Sequence, residues 1–186
     1  QKKKLFKTKI LWISKINKIN DKPSIFIANE FFDSMAIKQF KKRGKLWFEK
    51  YVNIEDKNKV HIFEKKFNMK KFEKKINFKI SKNQNFIEYS DLGLNYLKNI
   101  SKIIKKNTGG LLLIDYGYLD GKMKNTLQTI SNHKYANILD NIGNIDITHN
   151  INFNLFEKVI KKVGGLKNNL TTQKNFLIKM GIEQRA

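Results

Sequence analysis

The stretch SIFIANEFFDSMAIKQF, Ser24 to Phe40, decides how the chain folds. Its first five residues, Ser24 to Ala28, form a short β-rich run of the kind that makes a buried strand. The run stops in a polar cluster, Asn29-Glu30-Phe31-Phe32-Asp33. Two carboxylates and a carboxamide beside two phenylalanines are costly to desolvate unless they have partners or a task. In an open α/β sheet, ligands sit beyond the carboxyl ends of the strands, so a polar cluster there marks a candidate crevice. An Asn or Asp after a strand also serves simply to turn the chain or cap a helix.

Working outward, TKILWI at Thr8 to Ile13 reads as a second short strand, separated from the first by the polar turn Asn17 to Pro23. From Ile37 onward the aromatic runs IKQFK, KLWFEKYVNI and KVHIFEKK alternate with the charged breaks KKRG and EDKNK. That pattern predicts antiparallel hairpins, inserted over residues 37–85 into a main sheet. Ser90 is placed to cap a helix whose apolar residues Tyr96, Leu97, Ile100, Ile103 and Ile104 recur at three-to-four spacing, with Gly109-Gly110 to stop it. The apolar strand LLLIDYGY follows, closed by Asp115, and a helix delivering into such a strand is the βαβ pattern of a parallel sheet covered on both faces. Leu155, Phe156, Val159, Ile160 and Val163 mark a further helix ended by Gly164-Gly165. Phe176, Leu177 and Met180 mark another, capped by Thr171 or Thr172 before it and Gly181 after it. The fold class is α/β, and residues 1–186 form one domain.

The totals narrow the function. No apolar run approaches the roughly 18 residues that cross a bilayer, and the absence of cysteine excludes disulfides and thiolate metal sites. His61, His133 and His149 lack metal-ligand spacing, so no metal is expected. The formal charge of +22 points toward polyanions, yet only Arg43 and Arg185 are arginines among 38 basic residues. Phosphate and groove recognition favours the guanidinium fork, and these lysines accompany an excess of Asn and Ile, so specific nucleic-acid binding is not expected.

The motifs resemble the MidA family of S-adenosylmethionine-dependent methyltransferases, whose mitochondrial members assist respiratory complex I assembly. The family's apolar strand, NEFFDALP and Gln-Phe pair are matched by ANEFFDSMAIKQF, with Met35-Ala36 where the family has Leu-Pro. Its Glu-x-Ser-Pro is matched by Glu88-Tyr89-Ser90, with Asp91 for the proline. IDYGY is identical at Ile114 to Tyr118. Thr126-Leu127-Gln128, His133, DIT at Asp146 to Thr148, and GIEQRA follow in family order, whereas Asn150 stands where many members carry His.

The resemblance implies a Rossmann-like class I methyltransferase sheet that carries the antiparallel insertion and lacks its N-terminal strands. Gln1 and Ala186 then read as cut ends of a longer protein, with the glycine-rich cofactor loop upstream. It further implies S-adenosyl-L-methionine as cofactor and an arginine of a protein partner, of the respiratory complex I type, as methyl acceptor. A guanidinium arrives charged, and carboxylates both orient it and accept the released proton. Glu30 and Asp33 are the expected catalytic pair, falling on one face if the segment turns helical at once. Asn29 and Trp12 are expected on the cofactor, and Asp115, Tyr116, Tyr118, Gln128, His133 and Asp146 on the substrate side. The alternative is a catalytically inactive assembly factor of the same fold, and after it a basic nucleic-acid binder. The expected compartment is a bacterial cytoplasm, or else a mitochondrial matrix.

Overall fold

The computed structural model describes residues 9–19, 21–55, 59–131, 134–139 and 143–185. After a short 3-10 turn, Ile16–Lys18, strands β1 (Ser24–Asn29), β2 (Lys38–Arg43), β3 (Leu46–Glu55) and β4 (Lys59–Phe67) lead into helix α1 (Met69–Ile76). Strand β5 (Phe86–Tyr89), helix α2 (Asp91–Asn107) and strands β6 (Gly109–Ile114) and β7 (Gly117–Tyr118) follow. The remainder comprises β8 (Gln128–Ser131), β9 (Lys134–Tyr135), β10 (Asp146–Thr148), β11 (Ile151–Asn152), α3 (Phe153–Gly164) and α4 (Gln173–Lys179).

Strand β1 pairs in parallel with β6, from Ser24 opposite Gly109 to Asn29 opposite Ile114. The connection between them carries the right ingredients in sequence. Ser90 accepts the amide of Gly93 at 3.0 Å to open α2, and its hydroxyl donates to the Ala36 carbonyl at 2.9 Å. Satisfying an otherwise orphaned amide in this way stabilises a helix start by about 1 kcal/mol. Glycine is required at position 109, where φ is +134° and a Cβ would lie 1.9 Å from the Ser24 carbonyl oxygen.

The inner face of β1 and β6 meets α2, which packs in turn against α3. Phe32, Leu94, Leu97 and Phe156 are buried together, and the Phe32 and Phe156 rings meet edge to face at 5.2 Å. Each such side chain contributes about 1.5–3 kcal/mol by leaving water. A second sheet, ordered β4-β3-β2-β5, is antiparallel throughout and joins the same core through Phe40 and Ile87. Two small sheets complete the described residues: β11 beside β7 in parallel, and β10-β8-β9 antiparallel.

Three local expectations are corrected. Residues 9–13 form no strand, and Leu11 is 79% exposed, because the apolar run has no partner strand to pair with among the described residues. Helix α1 stands where only hairpins were read; Met69, Phe72 and Ile76 at three-to-four spacing give it an inner face, and Asn68 caps it by accepting the Lys71 amide. The parallel pair is covered on one face only. Ile25 and Ile27 are 82% and 72% exposed, so the other face is bare among the described residues.

Candidate active site at the strand ends

The parallel register brings the carboxyl ends of β1 and β6 together, so that Asn29-Glu30 and Asp115-Tyr116 leave the sheet side by side. The Glu30 amide extends the ladder by one bond, donating to the Ile114 carbonyl at 2.9 Å. Glu30 then adopts φ +44°, the left-handed region that side chains rarely occupy outside glycine. The chain reverses there instead of entering a helix. A turn follows in which the Met35 amide meets the Phe32 carbonyl at 3.2 Å. Glu30 and Asp33 therefore do not share a helical face: Glu30 is exposed, whereas Asp33 is buried to 6% exposure.

Asp115 holds this turn. Its Oδ2 accepts the amides of Phe32 at 3.0 Å and Asp33 at 3.3 Å, and its Oδ1 accepts the Tyr116 amide at 2.9 Å. The carboxyl group that was expected to line a substrate channel is thus engaged with the backbone of the catalytic candidate. Burial first, and the neighbouring Asp33 charge second, push the Asp115 carboxyl above its ordinary value, against the pull of those three amides. Among the described residues no lysine or arginine forms an ion pair with Glu30, Asp33 or Asp115. In a chain of net charge +22, this is a conspicuous gap in neutralisation.

A second, deeper carboxylate organises the neighbourhood. Glu88, buried on β5, accepts from Gln39 Nε2 at 2.7 Å, from the amides of Thr126 at 3.0 Å and Leu127 at 3.2 Å, and from the Thr126 hydroxyl at 2.5 Å. Thr126 Oγ1 in turn accepts the Asn150 amide at 3.0 Å, and the His149 amide donates to the Asp33 carbonyl at 3.0 Å. The 126–128 and 148–150 segments are thereby tied to the strand-end turn. Sequence reasoning gave Glu88, Gln39, Thr126 and His149 no role, although the motif Glu88-Tyr89-Ser90 was a signal. His149 is 7% exposed, and its buried Nε2 has no hydrogen-bond partner among the described residues. It lines a small cavity of about 30 Å³ with Phe32, Glu88 and Tyr118.

The remaining candidates lie at varied distances from this centre. Tyr116 is 62% exposed just beyond Asp115. Tyr118 is half-buried, with its hydroxyl 3.5 Å from Asn152 Nδ2 and accepting the Lys124 amide at 3.4 Å, and burial pushes that hydroxyl up. Gln128 donates to Thr148 Oγ1 at 3.4 Å, while Asp146 sits exposed at the other end of β10, opposite Ile130. Trp12 lies on the irregular 9–13 segment and is 43% exposed, so it occupies no strand end. His133 lies outside the described residues.

Residues 1–171 match the model of the family described as "Putative S-adenosyl-L-methionine-dependent methyltransferase". The chain belongs to this methyltransferase family. Among relatives of the family, it is 29% identical over 178 residues to the protein arginine methyltransferase NDUFAF7 homolog, mitochondrial, of Caenorhabditis elegans, covering 95% of this chain and 42% of that protein. It is 25% identical to the human protein arginine methyltransferase NDUFAF7, mitochondrial, covering 95% of this chain and 39% of that one. The chain therefore spans about two fifths of the length of these relatives. Two crystal structures from Burkholderia thailandensis share the fold. One is an uncharacterised COG1565 superfamily protein with a TM-score of 0.71 at 18% identity, over 91% of this chain and 47% of that one. The other is a COG1565 superfamily member bound to S-adenosyl-homocysteine, with a TM-score of 0.70 at 19% identity, over 94% and 46%.

Proposed function

We propose that this chain is the acceptor-facing part of an S-adenosyl-L-methionine-dependent methyltransferase that modifies arginine in a protein. The observation that carries the reading is the cluster of Glu30, Asp33 and Asp115 at adjoining strand ends, without an ion pair among the described residues despite the basic chain. Like-charged carboxyl groups crowded in this way favour a cation between them, and a planar guanidinium donates to two carboxylate oxygens at once. Relatives named as protein arginine methyltransferases support that choice of cation.

The roles divide by exposure. Asp115 fixes the turn through its three amide contacts and adds negative potential. Asp33, buried beside it, orients the guanidinium. Glu30, exposed and reached without rearrangement, is the group to accept the proton that the guanidinium nitrogen loses. Phe32 packs the core and Phe31 meets Tyr96 edge to face at 5.5 Å, which keeps the turn in place.

The residues present fit one wall of a cofactor site. Asn29 and Glu30 are exposed at the end of β1, and the bare apolar face with Ile25 and Ile27 leads up to them. The Asn29 carboxamide there suits the polar groups of the cofactor, and the apolar face suits a further strand packed against it. S-adenosyl-L-methionine, when bound, supplies an electrophilic methyl group. What this chain supplies is alignment, exclusion of water and a proton acceptor.

The proposed partner is a protein, with a respiratory complex I subunit as the first to assay. The proposed compartment is a bacterial cytoplasm, with the mitochondrial matrix as the alternative, since the relatives are named as mitochondrial. Among the described residues no helix is long and apolar enough to cross a membrane. The test uses the full protein with a methyl-labelled cofactor and a candidate subunit, followed by mass analysis of the labelled side chain. Label on arginine supports the reading. Label on lysine or none at all, with cofactor demonstrably bound, contradicts it.

A further inference from the structure

A second concavity, of about 530 Å³, lies between the loop after α1, the loop after β7 and the first turn of α3. Its floor is apolar, built by Phe78, Ile80, Met123 and Leu155. Lysines 79, 82, 122 and 158 stand around it, all exposed, and none forms an ion pair among the described residues. Its one acid, Asp120, is already engaged, accepting the Lys122 amide at 2.9 Å and pairing with Lys124 at 3.4 Å.

The walls are held in place before any ligand arrives. Gln84, buried to 8% exposure, donates to the Gly121 carbonyl at 2.7 Å and accepts the Met123 amide at 2.8 Å, so one side chain fastens the two loops together. Glu73 Oε1 accepts both the amide and the hydroxyl of Ser81, each at 2.8 Å, anchoring the loop to α1. A fixed concavity loses little freedom on binding. Asn152 and Leu155 line both this concavity and the small cavity beneath the strand-end turn, so the two share a wall.

We infer that this lysine-rimmed, apolar-floored concavity docks an acidic segment carrying apolar side chains on the protein partner, beside the site that receives its arginine. The choice of partner rests on the protein-methylation reading; the choice of chemistry rests on the cavity. Four ammonium groups outside any ion pair among the described residues, over an apolar floor, complement carboxylates interleaved with aliphatic or aromatic side chains. A single-stranded nucleic acid is the poorer match, because it asks for an extended groove with stacking faces, and Phe78 lies half-buried in the floor beneath the Lys162 ammonium.

The test is fluorescence anisotropy with a labelled peptide of alternating Glu and Leu, in the absence of cofactor. The triple variant Lys82→Glu, Lys122→Glu, Lys158→Glu should weaken binding by about tenfold or more. A control with the same charge change elsewhere, Lys41→Glu, Lys102→Glu, Lys167→Glu, should weaken it by less than about threefold, as screened distant charges do. If circular dichroism shows that the first variant has lost its fold, the corresponding lysine-to-glutamine triple gives the same comparison. Equal losses in both triples overturn the inference, as does equal binding of a peptide with Gln for Glu. Tighter binding of a single-stranded oligonucleotide, abolished by the same triple, also overturns it. Because the readout involves no methyl transfer, peptide docking without arginine methylation would remove the proposed function and leave the cavity's role standing.

Discussion

The Asp115 carboxylate accepts the backbone amide of Asp33 at 3.3 Å, joining two acidic residues 82 positions apart in the chain. Parallel pairing of β1 with β6 makes the contact possible, and it turns a carboxyl group at one strand end into the support for the carboxyl group at the other. Removing the support should cost more than removing an ordinary surface acid. Asp115→Ala leaves the part-buried amides of Phe32 and Asp33 without an acceptor, and should lower unfolding free energy by about 2–4 kcal/mol in a urea titration.

Asp115 also predicts a pH dependence. Its carboxyl is held above the ordinary 3.8, so the folded state binds the proton more tightly than the unfolded chain does. The associated stability is present below the unfolded value and is lost as pH rises through the folded one. The whole chain trends the other way, because its positive charge falls as its other carboxyl groups ionise. The difference in stability between wild type and Asp115→Asn isolates the group: wild type should lose ground relative to the variant as pH rises from about 3 to 6.

Glu30 carries backbone strain at the turn, with φ +44°. Glycine adopts that conformation freely, so Glu30→Gly should be more stable than Glu30→Ala by about 1 kcal/mol in chemical denaturation. Both variants lose the carboxylate and should lose methyl transfer alike. Stability and activity separate at this residue, as expected for strain kept at a working site.

Gly117 in the IDYGY motif is a packing requirement. A Cβ there would lie 2.4 Å from both the Ile151 carbonyl oxygen and the Phe153 ring, because β7 runs close beside β11. Gly117→Ala should destabilise the protein by about 1–3 kcal/mol, measured by thermal or urea unfolding.

The parts of the fold that were legible in sequence are those whose signals are local. Ser90, Thr172 and Gly165 cap helices where the apolar spacing placed them, and the runs at Ser24 and Leu111 became a parallel pair, with Gly109 and Gly110, read as a helix stop, joining the second strand. Helix α1 was written as clearly, in Met69, Phe72 and Ile76, but eight lysine-rich residues, MKKFEKKI, among aromatic strands read as one more hairpin. Residues 9–13 failed for the opposite reason, since β propensity forms no strand without a partner edge. At the site, the polar cluster after β1 was visible, but the division of labour within it was not. That Asp115 supports the turn and that Glu88 ties in Thr126 both depend on contacts some 38 to 83 positions apart, which no local pattern encodes.

The central claim is that Glu30 and Asp33 receive the guanidinium. The most direct measurement is kcat/KM for arginine methylation by the full protein carrying Glu30→Gln or Asp33→Asn, with folding checked by circular dichroism and cofactor affinity by calorimetry. A fall of about 100-fold or more in each variant, with fold and cofactor affinity kept, is the predicted result. Rates within a few-fold of wild type in both variants would contradict the account.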